Sequence, residues 1–314
     1  MRFFSKARKK NGKLVFTFLA DGICAASVER RTDAKPVVQI ATFQPVTPSL
    51  SPDALDKLAR DLRAAGYQCL TLLGAGEYQL LTVEAPNVAP DELKTAVRWR
   101  LKDMLDFHID DATIDVFDMP VEKGTAPRAH SMFAVAARNS LIQTRQALFD
   151  EAKVELSVID IPEMAQRNIS ALLETPGRGL AMLSFGPQGG LLTVSYHGEL
   201  YLARQIDVTL EQLNDADTTR RHGYFDRIAL ELQRSLDHFD RQFHFISVSR
   251  MVLAPTGSSG LQDFLAQNIY VPVEAMSLSE VFDFSEAPQL QDIGEQIRYL
   301  LTLGAALRHE ETVL

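Results

Sequence analysis

The chain has 314 residues, 46% of them hydrophobic and 23% charged, which is enough to bury the cores of two domains and has the balance of a globular protein, not a disordered or fibrous one. No run approaches the roughly eighteen consecutive apolar residues of a membrane-spanning helix. The net charge of −9 argues against nucleic acid as the main partner, because duplex binding relies on neutralising phosphates.

The charge is uneven. Arg2, Lys6, Arg8, Lys9, Lys10 and Lys13 fall within the first fourteen positions with no acid among them, leaving about −15 on the rest. With Phe3 and Phe4 beside it, this basic start has two readings: contact with an anionic membrane surface, at about 1 kcal/mol per basic residue, or a solvated chain end. The apolar run at 13–20 is too short and too strand-like for the core of a secretory signal. Cys24 and Cys69 are flanked by apolar residues and match no metal spacing, which points to buried thiols in a reducing compartment.

In chain order, residues 14–19, 23–28 and 36–43 read as three strands, joined by the turn Ala20-Asp21-Gly22 and a polar break at 29–34. Ser51 then caps a helix in which Leu55, Leu58, Leu62 and Ala65 recur at helical spacing, ended by Gly66. Short strands are predicted at 69–73 and 78–83, and a helix opening at Pro90 with Leu93, Val97, Leu101, Met104 and Leu105 on one face. Strands at 113–117 and 131–137 flank a loop, 122–128, expected to be mobile. Residues 78–137 thus form a small α+β insertion, followed by a helix from about Asn139, a strand at 155–159 and a helix at Pro162.

A second meander follows at 179–208, broken at Gly186-Pro187-Gln188-Gly189-Gly190 and at His197-Gly198-Glu199. It repeats the plan of the first, so the chain predicts a duplicated sheet-forming unit. Beyond it come a short helix ending in a loop over 209–224, a long helix over 225–243 with Phe225, Ile228, Leu232, Leu236, Phe239 and Phe243 on one stripe, strands at 248–253 and 269–273, and helices at 261–267 and 297–307. The domain plan is a basic segment at 1–12, a first lobe at 13–170 carrying the insertion, and a second lobe at 171–314.

Most familiar site chemistry is missing. There is no phosphate-binding P-loop, Gly74-Ala75-Gly76 lacks the third glycine of a dinucleotide fingerprint, and there is no Gly-x-Ser-x-Gly elbow. The seven histidines are scattered; His238, near Asp237 and Asp240, reads as a solvated helix face. Asp110 and Asp111 are adjacent and diverge, a poor chelate, and Asp160 reads as a helix-start residue. No catalytic or metal-binding residue is assigned. What remains are the glycine-rich turns Asp21-Gly22 and Gly186 to Gly190, which either cradle nucleotide phosphates with their amides or are plain strand turns.

One set of stretches, in this order, carries a resemblance: Pro90-Asp91-Glu92-Leu93 with Ala96-Val97-Arg98-Trp99-Arg100-Leu101-Lys102-Asp103; Ile109-Asp110-Asp111-Ala112 with Asp115; Val158-Ile159-Asp160-Ile161-Pro162-Glu163; Gly198-Glu199-Leu200 with Arg204; Leu230-Glu231-Leu232-Gln233-Arg234-Ser235-Leu236; and Leu303-Gly304-Ala305-Ala306-Leu307-Arg308. Over most of its length the chain resembles the actin-like proteins of pilus assembly, PilM of type IV pili and most closely the MshI group of the mannose-sensitive haemagglutinin (MSHA) pilus.

The resemblance implies an α/β, actin-like (ribonuclease H-like) fold of two lobes around a cleft, with an FtsA/PilM-type insertion in the first lobe. It also implies a cytoplasmic scaffold beneath the inner membrane that docks on the cytoplasmic N-terminus of a bitopic, PilN-like partner. In PilM the cleft holds ATP. Carried over, the nucleotide residues are Asp21, Gly22, Gly186, Gly189, Gly190, Glu231, Gly257, Ser258 and Gly260. The pattern is eroded: the first hairpin's strand acid is replaced in the region Thr17-Phe18, Ser184 stands where an Asp precedes the second hairpin's glycine, and the adenosine Gly-Gly pair is Ala254-Pro255. Mg²⁺ is held through carboxylates and is central to phosphoryl transfer, and proline removes an amide donor. The expectation is therefore a degenerate cleft in a non-enzymatic scaffold, with an active ATPase as the alternative.

A third possibility, the cytoplasmic part of a type II secretion platform protein, implies a following membrane span that the sequence does not contain as far as Leu314. Arg98, Trp99 and Arg100 are candidate partner contacts, since aromatic and arginine side chains make good anchors. The alternative is that Trp99 packs on the insertion's own sheet while the arginines are solvated.

Overall fold

The computed structural model describes residues 12–32, 34–48, 50–89, 92–120 and 131–309. The basic run at positions 2–10, Pro90 and the loop 122–128 lie outside them. The chain runs through β1 (Lys13–Leu19), β2 (Gly22–Glu29), β3 (Val37–Pro45), α1 (Pro52–Asp61), β4 (Gln68–Leu72), β5 (Tyr78–Glu84), α2 (Leu93–Leu101), β6 (Ala112–Asp118), β7 (Ser131–Arg138), α3 (Asn139–Glu151), β8 (Leu156–Asp160) and α4 (Pro162–Ser170). It continues through β9 (Gly179–Gly186), β10 (Gly189–Tyr196), β11 (Glu199–Ile206), α5 (Leu210–Leu213), α6 (Thr218–Gln242), β12 (Val248–Leu253), α7 (Leu261–Asn268), β13 (Val273–Ala275) and α8 (Ile293–Ala306).

The two meanders form as their turns predict, and each is the start of a five-stranded sheet. The first has the order β3-β2-β1-β4-β8 and the second β11-β10-β9-β12-β13. In both, the meander is antiparallel and the remaining two strands run parallel to its first strand. Identical order and sense in two halves of one chain is a duplicated fold.

Local chemistry sets most boundaries. The Ser51 hydroxyl accepts from the Ala54 amide at 3.3 Å, with Pro52 at the first helical position, where a missing N–H costs nothing. α6 begins at Thr218, seven residues before the apolar stripe, where a loop was expected: Asp217 accepts from the amides of Thr219 and Arg220 at 2.9 and 3.2 Å and so caps an earlier, polar turn. The strand expected at 269–273 is shorter and later. Pro272 has no N–H to give to a ladder and contributes its carbonyl to Met251 N at 2.8 Å, so β13 starts only at Val273.

By their contacts the described residues form two compact units, each taken here by itself. The first comprises the chain up to Leu72, Gln146–Ala165 and the chain from Leu278 on; the second comprises Leu73–Arg145 and Gln166–Ser277. The expected plan puts 13–170, insertion included, in one lobe and 171–314 in the other; by contacts the chain from Leu278 on groups with the first sheet and the insertion groups with the second unit. In the first unit one sheet face packs Leu14, Phe16, Ile23 and Ala25 against Leu55, Leu58 and Phe149, with Phe16 and Phe149 edge to face at 6.0 Å. The other face takes α8, whose buried Tyr299, Leu300 and Leu303 lie over β2 and β1. In chain order β5 to β7 are inserted between β4 and β8. They make their own antiparallel sheet, β5-β7-β6, with Val97 and Leu101 of α2 buried in its core.

Cys24 is fully buried beside Tyr299, and burial pushes its thiol from the ordinary 9.0 up to about 12; Tyr201 is likewise pushed up to about 12, mainly by burial and then by the nearby Glu199. Both groups hold their protons more tightly folded than unfolded, so their contribution is intact below about pH 9 and is lost as pH rises toward 12. Denaturant midpoints are therefore expected to fall across that window. Iodoacetamide at pH 8 is expected to leave Cys24 and Cys69, both buried and in no disulfide, unlabelled until the chain is unfolded.

Candidate functional site

The first candidate hairpin joins β1 to β2. Asp21 sits in its turn, its carbonyl accepting from Val46 N at 3.2 Å and its carboxylate 3.7 Å from Arg298 of α8. Arg298 also lies over the Phe43 ring at 4.3 Å and donates to Glu295. Asp21 is thus one acid of a surface cluster on a shared guanidinium. Gly22 has a packing reason: a Cβ there would come within 2.4 Å of Gln44 O and 2.7 Å of the Phe43 ring. At the two positions read as the lost strand acid, Thr17 bonds Thr302 hydroxyl to hydroxyl at 3.0 Å, and Phe18 meets Phe149 edge to face.

The second hairpin joins β9 to β10. Gly189 (φ +134°) and Gly190 are required by crowding, since a Cβ would stand 2.8 Å from Ile206 O at the former and 2.6 Å from the Phe185 ring at the latter; Gly186 has no such neighbour. Ser184, two residues before Gly186 on β9, is buried, and its hydroxyl donates to Gln166 Oε1 at 2.5 Å. The Gln166 amide nitrogen, on α4, lies 2.9 Å from Met182 O, 3.1 Å from Leu191 O and 2.9 Å from Thr193 Oγ1. The result is a neutral network, fully buried at Gln166 and Thr193, in which an inward-facing hydroxyl occupies the position where the resemblance expects an acid.

The third stretch precedes α7. Gly257 (φ +65°) and Gly260 (φ +84°) are left-handed with open space around them, so glycine is required by conformation. Ser258 is committed within the fold: its amide bonds Thr256 Oγ1 at 3.1 Å and its hydroxyl donates to Leu213 O at 2.8 Å. Asn214 adds a bond to Thr256 O, stitching the loop to the end of α5. Glu231 is exposed on α6, paired with Arg234 at 3.1 Å, beside Arg204 and His238.

Of the partner candidates, the structure separates Trp99 from its neighbours. Arg98 bonds Ala112 O at 3.3 Å and Asp110 at 3.0 Å, and Arg100 bonds Glu84 O at 2.7 Å, so the arginines clamp α2 to β6 and β5 and are not simply solvated. Trp99 is 72% exposed on the helix's outer face and does not pack on the insertion's sheet. The helical period puts Val97 and Leu101 inward, which turns residue 99 away from the core.

Sequence reasoning missed two polar centres. One is Gln166, in a helix whose Glu163, Gln166, Arg167, Asn168 and Ser170 are all buried; the signal was a segment too poor in aliphatic residues to be buried by apolar packing. The other closes the turn after β4, where Glu77 accepts from Gly74 N at 2.7 Å and from Arg145, itself buried, at 2.9 Å. The Gly74-Ala75-Gly76 turn is thus closed by a carboxylate.

Within its own unit each former candidate has a partner in the fold: Asp21 faces Arg298, and Ser184 turns inward to Gln166. Among the described residues no group of three or more His, Cys, Asp or Glu is placed to hold a metal, and no helix is long and apolar enough to cross a membrane.

The duplicated β3-β2-β1-β4-β8 sheet with an inserted α+β element is an actin-like α/β fold. Among solved structures, the chain is similar to a chain of the PilM–PilN type IV pilus biogenesis complex, with 21% identity, a TM-score of 0.71 and coverage of 95% of this chain and 98% of that one. It is also similar to the cytoplasmic domain of EpsL, an inner-membrane component of the type II secretion system of Vibrio cholerae, with 14% identity, a TM-score of 0.54 and coverage of 95% and 96%. At such identities the likeness shows the fold. No family model and no curated protein matches the sequence.

Proposed function

We propose that the chain is a cytoplasmic, actin-like scaffold of a type IV pilus assembly platform, of the MSHA type, that docks on the cytoplasmic N-terminal peptide of a PilN-like inner-membrane partner and does not turn over ATP. The observation that carries the reading is the near full-length likeness to a chain of a PilM–PilN complex. The scaffold part is supported by the neutral Ser184–Gln166 network and by Asp21's place beside Arg298, since phosphoryl transfer depends on acids that hold Mg²⁺. Trp99 is the partner contact of choice: an exposed aromatic on a clamped helix is a preorganised anchor.

Calorimetry with N-terminal peptides of inner-membrane pilus and secretion platform proteins tests this. One pilus-type peptide is expected to bind, with affinity falling about tenfold or more in Trp99→Ala while the melting point stays put. Mg-ATP at millimolar concentration is expected to leave melting unmoved, whereas a ligand at about 100 times its dissociation constant adds roughly 2.7 kcal/mol. Phosphate release with a Mg-ATP-dependent rise in melting temperature would instead establish the ATPase reading, and capture only of a secretion-platform peptide would move the chain to that system.

A further inference from the structure

The two sheets treat their outer meander strands differently. In the first unit the edge of β3 is met at its start by the chain itself: Val37 bridges Asp283 in parallel, with Val38 N to Asp283 O at 3.0 Å and Asp283 N to Pro36 O at 2.9 Å, and the Gln289 side chain bonds Ala41 O at 2.7 Å. β11 holds the equivalent outer position in the second sheet, and among the described residues no strand pairs with its free side. An unpaired edge offers a row of backbone donors and acceptors to any extended segment.

Two features define what that segment is. The register of β11 on β10 slips between Val194 and Ser195, so Tyr201 bulges and the regular part of the edge is residues 202–206. Beside that part, Arg204, Gln205 and Ile206 of β11 and Glu231, Arg234, Ser235 and His238 of α6 line a concavity of about 180 Å³. Its charge is lopsided: Glu231 is taken up by Arg234, while Arg204 and His238 have no hydrogen-bond or ion-pair partner among the described residues. On a chain of net −9, this is a basic hollow at the side of an open strand.

We infer that β11 and this hollow together bind an extended acidic peptide segment of another protein, which adds to the sheet as a sixth strand and sets a carboxylate against Arg204, beside the Glu231–Arg234 pair. Backbone pairing supplies affinity in this mode and the side-chain hollow supplies selectivity; arginine is suited to the planar, two-pronged grip of a carboxylate. Within the chain, Asp283 makes one such backbone bridge to Val37 at the start of β3.

Fluorescence anisotropy on the full chain, with a labelled peptide of about eight residues alternating glutamate and valine, tests it. Saturable binding is expected, weakened about tenfold or more by Arg204→Glu, by lysine in place of glutamate, and by N-methylation of alternate peptide amides. Hydrogen exchange should slow in residues 202–206 on binding. Arg204→Ala, whose fold is checked by circular dichroism, is a second, charge-neutralising variant and is expected to weaken binding less than Arg204→Glu does. Equal binding of the lysine peptide, indifference to N-methylation, or protection mapped to another strand would overturn the proposal. So would concentration-dependent protection of 202–206 without peptide, which would give the edge to a second copy of the chain. None of these results bears on the pilus reading.

Discussion

Arg308→Met is expected to cost about 3 kcal/mol of stability, read as a loss of protection in β1, β2 and β8 by native-state hydrogen exchange and as a lower denaturant midpoint. Arg308 Nη1 lies 2.8 Å from Asp160 Oδ2, and the other Asp160 oxygen takes the Ile161 amide at 2.9 Å. Asp160 is 5% exposed, so removing the guanidinium strands a carboxylate out of water, which costs more than the pair itself contributes. The same arginine anchors the end of α8, where the Lys13 and Arg30 side chains donate to the carbonyls of Arg308 and Leu307; cations there complement the helix C-terminus. Asp160→Asn combined with Arg308→Met should recover part of the loss, with about 1–3 kcal/mol of coupling in the double-mutant cycle. Additive losses, or a single-mutant cost under about 1 kcal/mol, would show that the pair carries no structural weight.

Gln166→Leu should be about as damaging, with a loss of about 2–4 kcal/mol, because two strand carbonyls and the Ser184 and Thr193 hydroxyls lose a shared partner inside a buried core. Ser184→Ala removes one bond and is expected to cost about 1 kcal/mol. Ser184→Asp should exceed both, because it sets a carboxylate against the Gln166 carbonyl oxygen with no cation in the network. Thermal and chemical denaturation give the ranking. If Ser184→Asp were tolerated and Mg-ATP raised its melting point, the position would retain the metal-holding geometry of an ATP site and the scaffold reading would weaken.

Much of the fold was legible because it is local. The β1-β2-β3 and β9-β10-β11 meanders follow from short apolar runs stopped by Asp21-Gly22, Gly189-Gly190 and His197-Gly198; the stripe of α6 names buried residues, as do Leu55 and Leu58 of α1, whereas Leu62 is half-buried and Ala65 exposed beyond that helix's end at Asp61. The start of α6 was misread because a cap, Asp217, sits outside any apolar period. β13 was misread because Ile269 and Val271, though apolar and buried, pack from a loop. The candidate site was less legible. The sequence marks glycines but does not say whether each serves a ligand, a crowded approach, as at Gly22 and Gly190, or a left-handed backbone, as at Gly257 and Gly260.

By itself, the sequence determined that the chain contains a duplicated sheet-forming unit with an inserted α+β element, since turn chemistry and side-chain period act over a few residues. Only the tertiary structure decided that α8 returns to the first sheet, that Ser184 faces Gln166, that Trp99 points outward while its flanking arginines are clamped, and that Asp283 bridges the start of β3 while, among the described residues, no strand or bridge meets the outer side of β11. An apolar stripe states that a face is buried but not against what, and a polar side chain's partner is chosen by residues up to hundreds of positions away, as Lys13 and Arg308 are. Those pairings exist only once the chain is folded.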